Sequence, residues 1–423
     1  MNRALPYPPL AWICLGVFFM FSLVLTKVAS FSFYFLLLVA FIHALHLIKK
    51  RDGALFHIWA QYGWVYVSAT AILVAIVIQG IAIHHVAIRA YDIPSRLALL
   101  GLLTWGMACL PTRQMKMLRW VFMIGALIAT VKLAIVTSDG LTRMPVIDFI
   151  SIIALSQLTL LLAIFSVFGI VWSEKKNLLV TILLGMTGFV GLYNIYISQT
   201  RGAWISIPFF VLLIGIVFSR NTCSIKTVSW ALLLVVALAG AFSTTPIVQN
   251  RVHQAFSDIH QYTAKGDADT SVGTRFQLWK ASWIMFSEHP VFGVGVSNFR
   301  DSLKDIAARK IITEEAATFP HSHNEILFHM ATLGIFGLFA IIATYFVPLY
   351  YFIRDMRHAD ACIAATAAMG VSVCLGYFIF GLVDVMFMWR ICDIFYSMSI
   401  AVFLAFIIRR KYELQLATKL TAL

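Results

Sequence analysis

The chain has 423 residues, of which 61% are hydrophobic and only 12% are charged. A soluble domain needs far more polar side chains to cover its surface, so this composition excludes an ordinary soluble protein. Continuous apolar runs recur along the chain, and many approach the length of about 20 residues that a helix needs to cross a bilayer. A membrane β-barrel would instead show short segments of alternating polarity. The composition therefore predicts an all-α polytopic membrane protein.

The formal net charge of +13 would suit nucleic-acid binding in a soluble protein. In a membrane protein, however, Lys and Arg concentrate in the cytoplasmic loops, so we expect membrane lipids as the surroundings and no nucleic-acid partner. The six cysteines lie in apolar runs or at their ends, and none forms a CxxC pair. The sequence thus predicts neither a disulfide framework nor a zinc site.

Apolar runs predict about twelve transmembrane helices. Their approximate limits are 10–27, 31–48, 58–80, 95–110, 119–137, 149–171, 178–198, 203–219, 227–244, 324–353, 361–384 and 388–408. The seventh and eighth could form one hairpin broken at 199–202. The first run could pass for a secretory signal peptide, but a second run follows at once, which favours an uncleaved first helix.

One long connection, residues 245–323, divides the chain into three parts. Residues 1–244 hold the first nine predicted helices, and residues 324–423 hold the last three and a tail. If the N-terminus is cytoplasmic, the inner segments carry 17 Lys and Arg and the short outer loops carry six. This bias predicts that both termini face the cytoplasm and that the long loop faces outward.

The long loop carries two apolar stripes at helical spacing. The first stripe consists of Phe276, Trp279, Trp283 and Phe286, and the second of Val296, Phe299, Leu303 and Ile306. The segment 288–295 between them contains Pro290 and the run Gly293-Val294-Gly295. This run resembles a piece of a phosphate-binding glycine loop, but a backbone turn is the better interpretation because no complete P-loop sequence is present. We expect two or more helices packed on the outer face of the membrane.

Arginines at the outer ends of predicted helices are candidates for binding anions, because the planar guanidinium group grips phosphate oxygens in pairs. The alternative is an interfacial arginine that extends to water. For Arg201 the polar neighbours and the adjacent Gly202 favour a function. For Arg143, Arg89 and Arg275 both interpretations stay open. The candidates are Arg201, Arg143, Arg89 and Arg275.

The segment 319–325 (FPHSHNE) precedes the tenth predicted helix. A histidine there could act as a general base, with Glu325 orienting an imidazole. The alternative is a polar helix start that is capped by a Ser or Asn side chain. As metal ligands, His321 and His323 would need an extended backbone between them, and a third ligand is not evident. Within the helices, Lys132 could pair with an acid such as Asp384.

Four motifs, taken in chain order, resemble the O-antigen ligase family. They are 199–204 (QTRGAW), 273–275 (GTR) leading to Trp279, 289–295 (HPVFGVG) with Asn298 and Phe299, and 321–325 (HSHNE) leading to Gly334. With about twelve predicted helices and a late outer loop, the resemblance covers the whole chain. The ordered set is more specific than any single motif, and it is similar to the related O-antigen polymerases as well.

The resemblance implies a GT-C-like fold and an inverting, metal-independent glycosyltransferase without a cofactor. It would act at the periplasmic face of the inner membrane of a Gram-negative bacterium. The donor would be a glycan on undecaprenyl pyrophosphate, and the acceptor a sugar hydroxyl of lipid A–core. Carried onto this sequence, the family pattern makes His323 the general base, with Arg201 and Arg275 holding the pyrophosphate. Further expected substrate-binding residues are Arg143, His321, Asn324 and Arg89.

The first outer loop fits a reaction without a metal. Many lipid-linked glycosyltransferases hold a metal ion with acids in this loop, whereas residues 26–31 (TKVASF) include no acid. Preorganised guanidinium groups can instead stabilise a departing pyrophosphate. Two other functions remain as alternatives. One is an O-antigen polymerase, and the other is a transporter of lipid-linked oligosaccharides, which would carry ionisable residues near mid-span and show matching halves.

Overall fold

The computed structural model describes residues 8–50, 53–83, 88–137, 146–147, 149–173, 177–219, 243–260 and 269–421, with eight further positions between 226 and 240. Most of these residues are helical. The main helices are α1 Pro8–Phe21, α2 Val28–Lys50, α3 Gly53–Ala60, α4 Gly63–Ala82, α5 Asp92–Ala98, α6 Leu100–Met107, α7 Thr112–Met115, α8 Leu118–Thr137, α9 Ile152–Phe168, α10 Leu178–Ser198, α11 Arg201–Trp204, α12 Ser206–Phe218, α13 Pro246–His260, α14 Ser271–Glu288, α15 Phe299–Ala308, α16 Glu325–Met356, α17 Ala361–Gly381 and α18 Arg390–Thr421.

Short elements connect some of these helices. Four 3-10 turns lie at Ile88–Tyr91, Gly169–Trp172, Ala316–Thr318 and Met386–Met388. A two-stranded antiparallel hairpin precedes α9 and consists of β1 Val146–Ile147 and β2 Ile150–Ser151. Helices nevertheless dominate the part of the chain that the structure describes.

Seven helical segments are long and apolar enough to cross a membrane: Gly63–Ala82, Thr112–Thr137, Ile152–Trp172, Leu178–Ser198, Glu325–Met356, Ala361–Gly381 and Arg390–Leu420. Shorter apolar helices lie at Pro9–Phe21, Val28–Ile42 and Gly202–Phe218. The all-α polytopic class is therefore confirmed. The total of twelve helices stays a prediction, because most of the expected helix at 227–244 lies outside the described residues.

One predicted helix is divided in the structure, and one predicted break is present. The expected span 95–110 is divided into α5 and α6, which meet at Leu99, where ψ is 2°. Hydrophobicity alone did not reveal this turn, because the residues on both sides of it are apolar. The break expected at 199–202 is confirmed: α10 ends at Ser198, and Gln199 adopts a left-handed backbone conformation with φ of +54°.

Helices α9 and α17 and the part of α18 up to residue 408 form the centre of the bundle and are almost wholly buried by their neighbours. A helix that is apolar on all sides is expected in such a position. Aromatic rings join them to one another and to adjacent elements. Trp172 stacks on Phe406 with ring centroids 4.9 Å apart, and Phe165 meets Phe403 edge to face at 4.9 Å. Helices α8 and α10 lie further out and leave many apolar side chains exposed.

Polar contacts tie the helices together near the C-terminal end of α16. The Lys411 ammonium lies 2.8 Å from the Asp355 carboxylate and 2.9 Å from the Tyr62 hydroxyl. At the other end of the bundle, the buried Arg96 guanidinium lies 3.4 Å from the Asp393 carboxylate. Asp393 and Lys411 both lie on α18 and are 18 residues apart, about 27 Å at 1.5 Å per residue, so the two groups are well separated along that helix.

Gly334 interrupts α16, with φ of +63° and ψ of −147°. The interruption frees carbonyl groups of the preceding turn, which need new hydrogen-bond donors in an apolar environment. The loop before α15 supplies them. The Val294 amide donates to the Ala331 carbonyl, and the Gly295 amide donates to the Thr332 carbonyl, both at 2.9 Å. The glycine motif is thus a backbone turn, as the sequence suggested, and it also supplies hydrogen-bond donors to the broken helix.

Two further hydrogen bonds complete this junction. The Ile335 amide, just after the break, donates to the Pro290 carbonyl at 2.8 Å. From the neighbouring α4, the Gln79 side-chain amide donates to the carbonyls of Phe292 and Thr332. The long loop is therefore joined to α16 by main-chain contacts that lie within the span itself.

The long loop contains the predicted helices α14 and α15. The buried face of α15 includes Phe299, Leu303 and Ile306, as the second stripe predicted. The aromatic stripe of α14 is different, because Phe276 and Trp283 are 36% and 56% exposed. The side chains that α14 buries are smaller: Gly273, Thr274, Gln277, Leu278, Ala281, Ser282 and Met285.

We expect Gly334→Ala to lower the stability by about 2 kcal/mol or more, because a side chain in a disfavoured backbone conformation costs about 1–3 kcal/mol. The added Cβ atom would also lie 2.3 Å from the Val291 carbonyl oxygen. The measurement is the thermal unfolding midpoint in detergent. Gly185→Ala is the control, because a Cβ atom there meets nothing within 4 Å. Equal midpoints for the two variants would show that the break does not require glycine.

Candidate active site

Two histidines and one aspartate converge just before α16. Asp384 lies in the turn after α17, and its Oδ1 atom is 3.6 Å from Nδ1 of His323 and 3.9 Å from Nε2 of His321. The imidazole rings are 4.4 Å apart, centroid to centroid. His323 has a φ of +52°, which is uncommon for a residue with a side chain. The sequence predicted that the two histidines would need an extended backbone between them to act together as metal ligands. In the structure the rings are paired through a left-handed His323 instead.

Local hydrogen bonds hold this segment in place. The His323 amide donates to Nδ1 of His321 at 3.2 Å, and the Ser322 hydroxyl donates to the Asn324 carbonyl at 2.6 Å. The Asn324 side chain caps α16, because its oxygen accepts from the Leu327 amide at 3.0 Å. The capping interpretation of the motif is therefore confirmed for Asn324. The two histidines beside this cap both lie close to Asp384.

Burial and charge set the protonation of this cluster. Burial lowers the pKa of His321 to about 4; the Asp384 charge opposes this shift, and the charges of His323 and Arg275 add to it. Burial also opposes ionisation of Asp384, yet its contact with His323 and the nearness of both imidazoles lower the pKa of that carboxyl. Near pH 7, His321 is therefore neutral and Asp384 is ionised.

The same three side chains could hold a metal ion, since their ligand atoms all lie within 4.8 Å of one another. His, His and Asp are ligands that zinc and similar ions accept. Two features oppose this. His321 accepts the His323 amide at Nδ1, so its proton is on Nε2, where an ion would bind. The positive charge of Arg275 also reaches His321. The cluster suits proton transfer better than cation binding.

Arg275 belongs to the first turn of α14, which brings it towards the histidines. The Thr270 hydroxyl caps this helix by accepting from the Gly273 amide at 3.1 Å. The Arg275 charge is close enough to lower the pKa of His321. Arg275 is therefore placed, through the capped start of α14, within electrostatic range of the histidine pair.

The segment that contains Arg201 also approaches the cluster. A Cβ atom added to Gly202 would lie 2.3 Å from a methyl carbon of Val383, the residue before Asp384. The main chain at 201–202 therefore packs against the turn that carries Asp384. The glycine is needed for this close approach. The side chain of Arg201 itself lies outside the described residues.

The remaining predicted residues differ in their surroundings. Arg89 is exposed in the turn Ile88–Tyr91, and no described contact joins it to the histidines. Arg143 lies outside the described residues. Asn324 uses its side-chain oxygen as a helix cap and donates through its side-chain nitrogen to the Leu382 carbonyl at 3.2 Å. These contacts favour a structural role for Asn324.

Two suggested pairings are not found among the described contacts. Glu325 does not orient the histidine pair directly: its Oε1 atom is 3.4 Å from Nδ1 of His329 instead. Lys132 donates to the Val24 carbonyl at 3.2 Å, while the described partners of Asp384 include the two histidines. Asp384 also supplies the third potential ligand that was not evident. A lone acid between long apolar runs was the signal that could have identified it.

Comparison with known proteins agrees with these features. Residues 186–342 match a family model described as O-antigen ligase, and this segment contains Arg201, Arg275 and both histidines. This segment is therefore similar to the O-antigen ligase family. Asp384 lies beyond the matched segment, so its place beside the histidines comes from the structure alone.

Two curated relatives are similar over part of their length. An uncharacterized protein of Haemophilus influenzae is 25% identical over 162 residues, which cover 38% of this chain and 41% of that protein. The O-antigen ligase of Escherichia coli K12 is 23% identical over 217 residues, or 51% of each chain. The matched part thus spans about half, or less, of each relative.

The low pKa of His321 predicts a pH-dependent stability. Unfolding restores its ordinary value of 6.5 from about 4, so the unfolded state binds an extra proton between these values and stability falls as the pH falls through them. Relative to His321→Asn, the wild type should lose about 2 kcal/mol more between pH 7.5 and pH 5. Detergent-induced unfolding at several pH values measures this. If the difference in unfolding free energy between the wild type and His321→Asn does not change with pH, burial does not lower the pKa of His321.

Proposed function

We propose that this protein is an O-antigen ligase. It transfers a glycan from undecaprenyl pyrophosphate to a sugar hydroxyl of lipid A–core, at the periplasmic face of the inner membrane of a Gram-negative bacterium. The observation that carries the proposal is the buried carboxylate of Asp384 beside two imidazoles, within electrostatic range of Arg275. A base and a cation in one partly buried site suit the displacement of an anionic leaving group.

In the proposed reaction, His323 is the general base. Its Nδ1 atom faces Asp384, which leaves Nε2 to accept the proton of the acceptor hydroxyl. The hydroxyl oxygen attacks the anomeric carbon as the bond from that carbon to the pyrophosphate breaks, so the configuration inverts. The proton remains on His323, where the Asp384 carboxylate stabilises the imidazolium. The transferred glycan is then joined to the acceptor through a new glycosidic bond.

The leaving undecaprenyl pyrophosphate carries the charge that develops as the bond breaks. Arg275 and Arg201 hold its oxygens, because guanidinium groups bind phosphate in a planar, two-point geometry. No step requires a divalent cation or another cofactor. His321 remains neutral, and its Nδ1 atom accepts a hydrogen bond from the His323 backbone amide, which keeps the two rings together.

The distribution of basic residues supports a periplasmic site. Arg354, Arg357 and Lys411 lie at the C-terminal end of α16 or pack against it, at the end of that helix away from the histidines. Basic residues mark the cytoplasmic side of membrane proteins. The histidine pair, at the other end, then faces the periplasm, where the donor glycan and lipid A–core would meet.

We expect purified protein in liposomes to move glycan from donor lipid to lipid A–core with inversion, in the presence of EDTA. His323→Ala should lower kcat by about 10²–10⁴-fold, the usual contribution of a general base. His253→Ala is the control, because His253 is an exposed histidine on α13. The measurement is product formation on lipid A–core, with thermal unfolding to verify that each variant is folded.

The same assay separates the alternatives. Longer donor chains without modified lipid A–core would identify a polymerase, which uses the same donor. Movement of donor lipid between leaflets without any transfer would identify a transporter. Activity that is lost in EDTA and restored by a divalent ion would show that the His321, His323 and Asp384 cluster holds a metal. Full activity of His323→Ala would exclude this residue as the base.

Arg275 should be needed for its shape as well as its charge. Arg275→Ala is expected to lower kcat by about 100-fold, the scale seen when one preorganised donor is removed. Arg275→Lys should restore only part of this loss, because an ammonium group lacks the planar pair of donors. Arg300→Ala, an exposed arginine on α15, is the matched control. Equal rates for the three loop variants and the wild type would remove Arg275 from the site.

A further inference from the structure

Asp384 lies in the short connection between the end of α17 and the start of α18, just before the 3-10 turn Met386–Met388. Its distance to His323 therefore depends on what holds that turn. We propose that Glu325 is a positioning residue, whose buried carboxylate holds the turn 382–388 so that Asp384 faces His323. The inference rests on the proposed function, because it concerns the same base.

The contacts lie on both sides of Asp384. After it, the Glu325 carboxylate accepts from the Phe387 amide at 3.1 Å and also from the Met386 amide. Before it, the neighbouring Asn324 side chain donates to the Leu382 carbonyl at 3.2 Å. The start of α16 thus forms hydrogen bonds to the connection 382–388 on both sides of Asp384.

The backbone amides of this turn need a hydrogen-bond acceptor from another part of the chain. The amides of Met386 and Phe387 open the 3-10 turn Met386–Met388, and the first amides of a helical turn have no partner within it. Both residues are buried, at 0% and 5% exposure, so water does not replace the missing acceptor. The amide before them, of Val385, already donates to the Asp384 side chain at 2.8 Å. The Glu325 carboxylate supplies the acceptor for the amides of Met386 and Phe387.

The close fit of this carboxylate involves Gly381. A Cβ atom added to Gly381 would lie 3.1 Å from Cβ of Glu325 and 2.9 Å from the Tyr345 hydroxyl oxygen. Glu325 itself is fully buried. In the described residues its side chain meets the turn and His329, and its effect on His323 therefore passes through Asp384. This distinguishes a positioning residue from an acid that exchanges protons with the substrate.

A double-mutant cycle on kcat tests the inference. Glu325→Ala should lower kcat by about 100-fold, the cost of displacing a catalytic group by about 1 Å. In the Asp384→Ala background the same change should cost less than about twofold, because the carboxylate it positions is gone. Glu325→Gln keeps an acceptor oxygen and should restore kcat to within about threefold of the wild type. KM should change little in any of these variants.

Asp355→Ala is the matched control, because Asp355 is a buried carboxylate at the opposite end of the same helix. Its effect should be equal in the wild type and in Asp384→Ala. Two outcomes would overturn the inference. If Glu325→Ala costs as much without Asp384 as with it, Glu325 acts elsewhere. If Glu325→Gln is as inactive as Glu325→Ala, the acid group takes part in proton transfer.

A structural measurement separates this inference from the proposed function. In a cryo-EM structure of Glu325→Ala in nanodiscs, the Asp384 carboxylate should leave its position 3.6 Å from His323. An unmoved carboxylate would refute the positioning role whatever the activity. Absence of glycan transfer in the wild type would refute the ligase proposal, and the displacement of Asp384 would still decide the role of Glu325.

Discussion

An ionised carboxylate is costly to bury, and Asp384 is almost completely enclosed at one end of the helical bundle. Two imidazoles within 4 Å stabilise the charge of this carboxylate. This contact depends on the left-handed backbone of His323 and on the turn that joins α17 to α18. Much of the site's arrangement follows from this contact. The capped start of α16 brings the histidines to the carboxylate, and Gly202 packs against Val383, the residue before Asp384.

The charges of the site are divided among segments that are far apart in the chain. The negative charge comes from residue 384, the titratable rings from residues 321 and 323, and the positive charge of Arg275 from the loop. Because His321 stays neutral, it adds no positive charge of its own near pH 7. The cluster can therefore hold a proton acceptor beside a cation without the two neutralising each other. Such separation is what a reaction between a hydroxyl and an anionic donor requires.

The sequence predicted the elements whose signals are local. The span expected at 178–198 is α10, Leu178–Ser198, because Asn177 caps its start and a left-handed Gln199 ends it. The histidine motif was identified for the same reason. Asp384 was missed because its partners are about 60 residues away, and no local pattern records such a contact. The aromatic stripe of α14 was found, but periodicity could not show that the smaller residues beside it form the buried face.

The break at Gly334 has a consequence for how the chain is assembled in the cell. The carbonyls of Ala331 and Thr332 find their donors in Val294 and Gly295, which are synthesised earlier but belong to the loop. Both residues are fully buried, so water does not supply these hydrogen bonds instead. The first half of α16 therefore cannot reach its final place before the preceding loop has folded back onto it. Insertion of this helix and maturation of the loop are one coupled event in biogenesis.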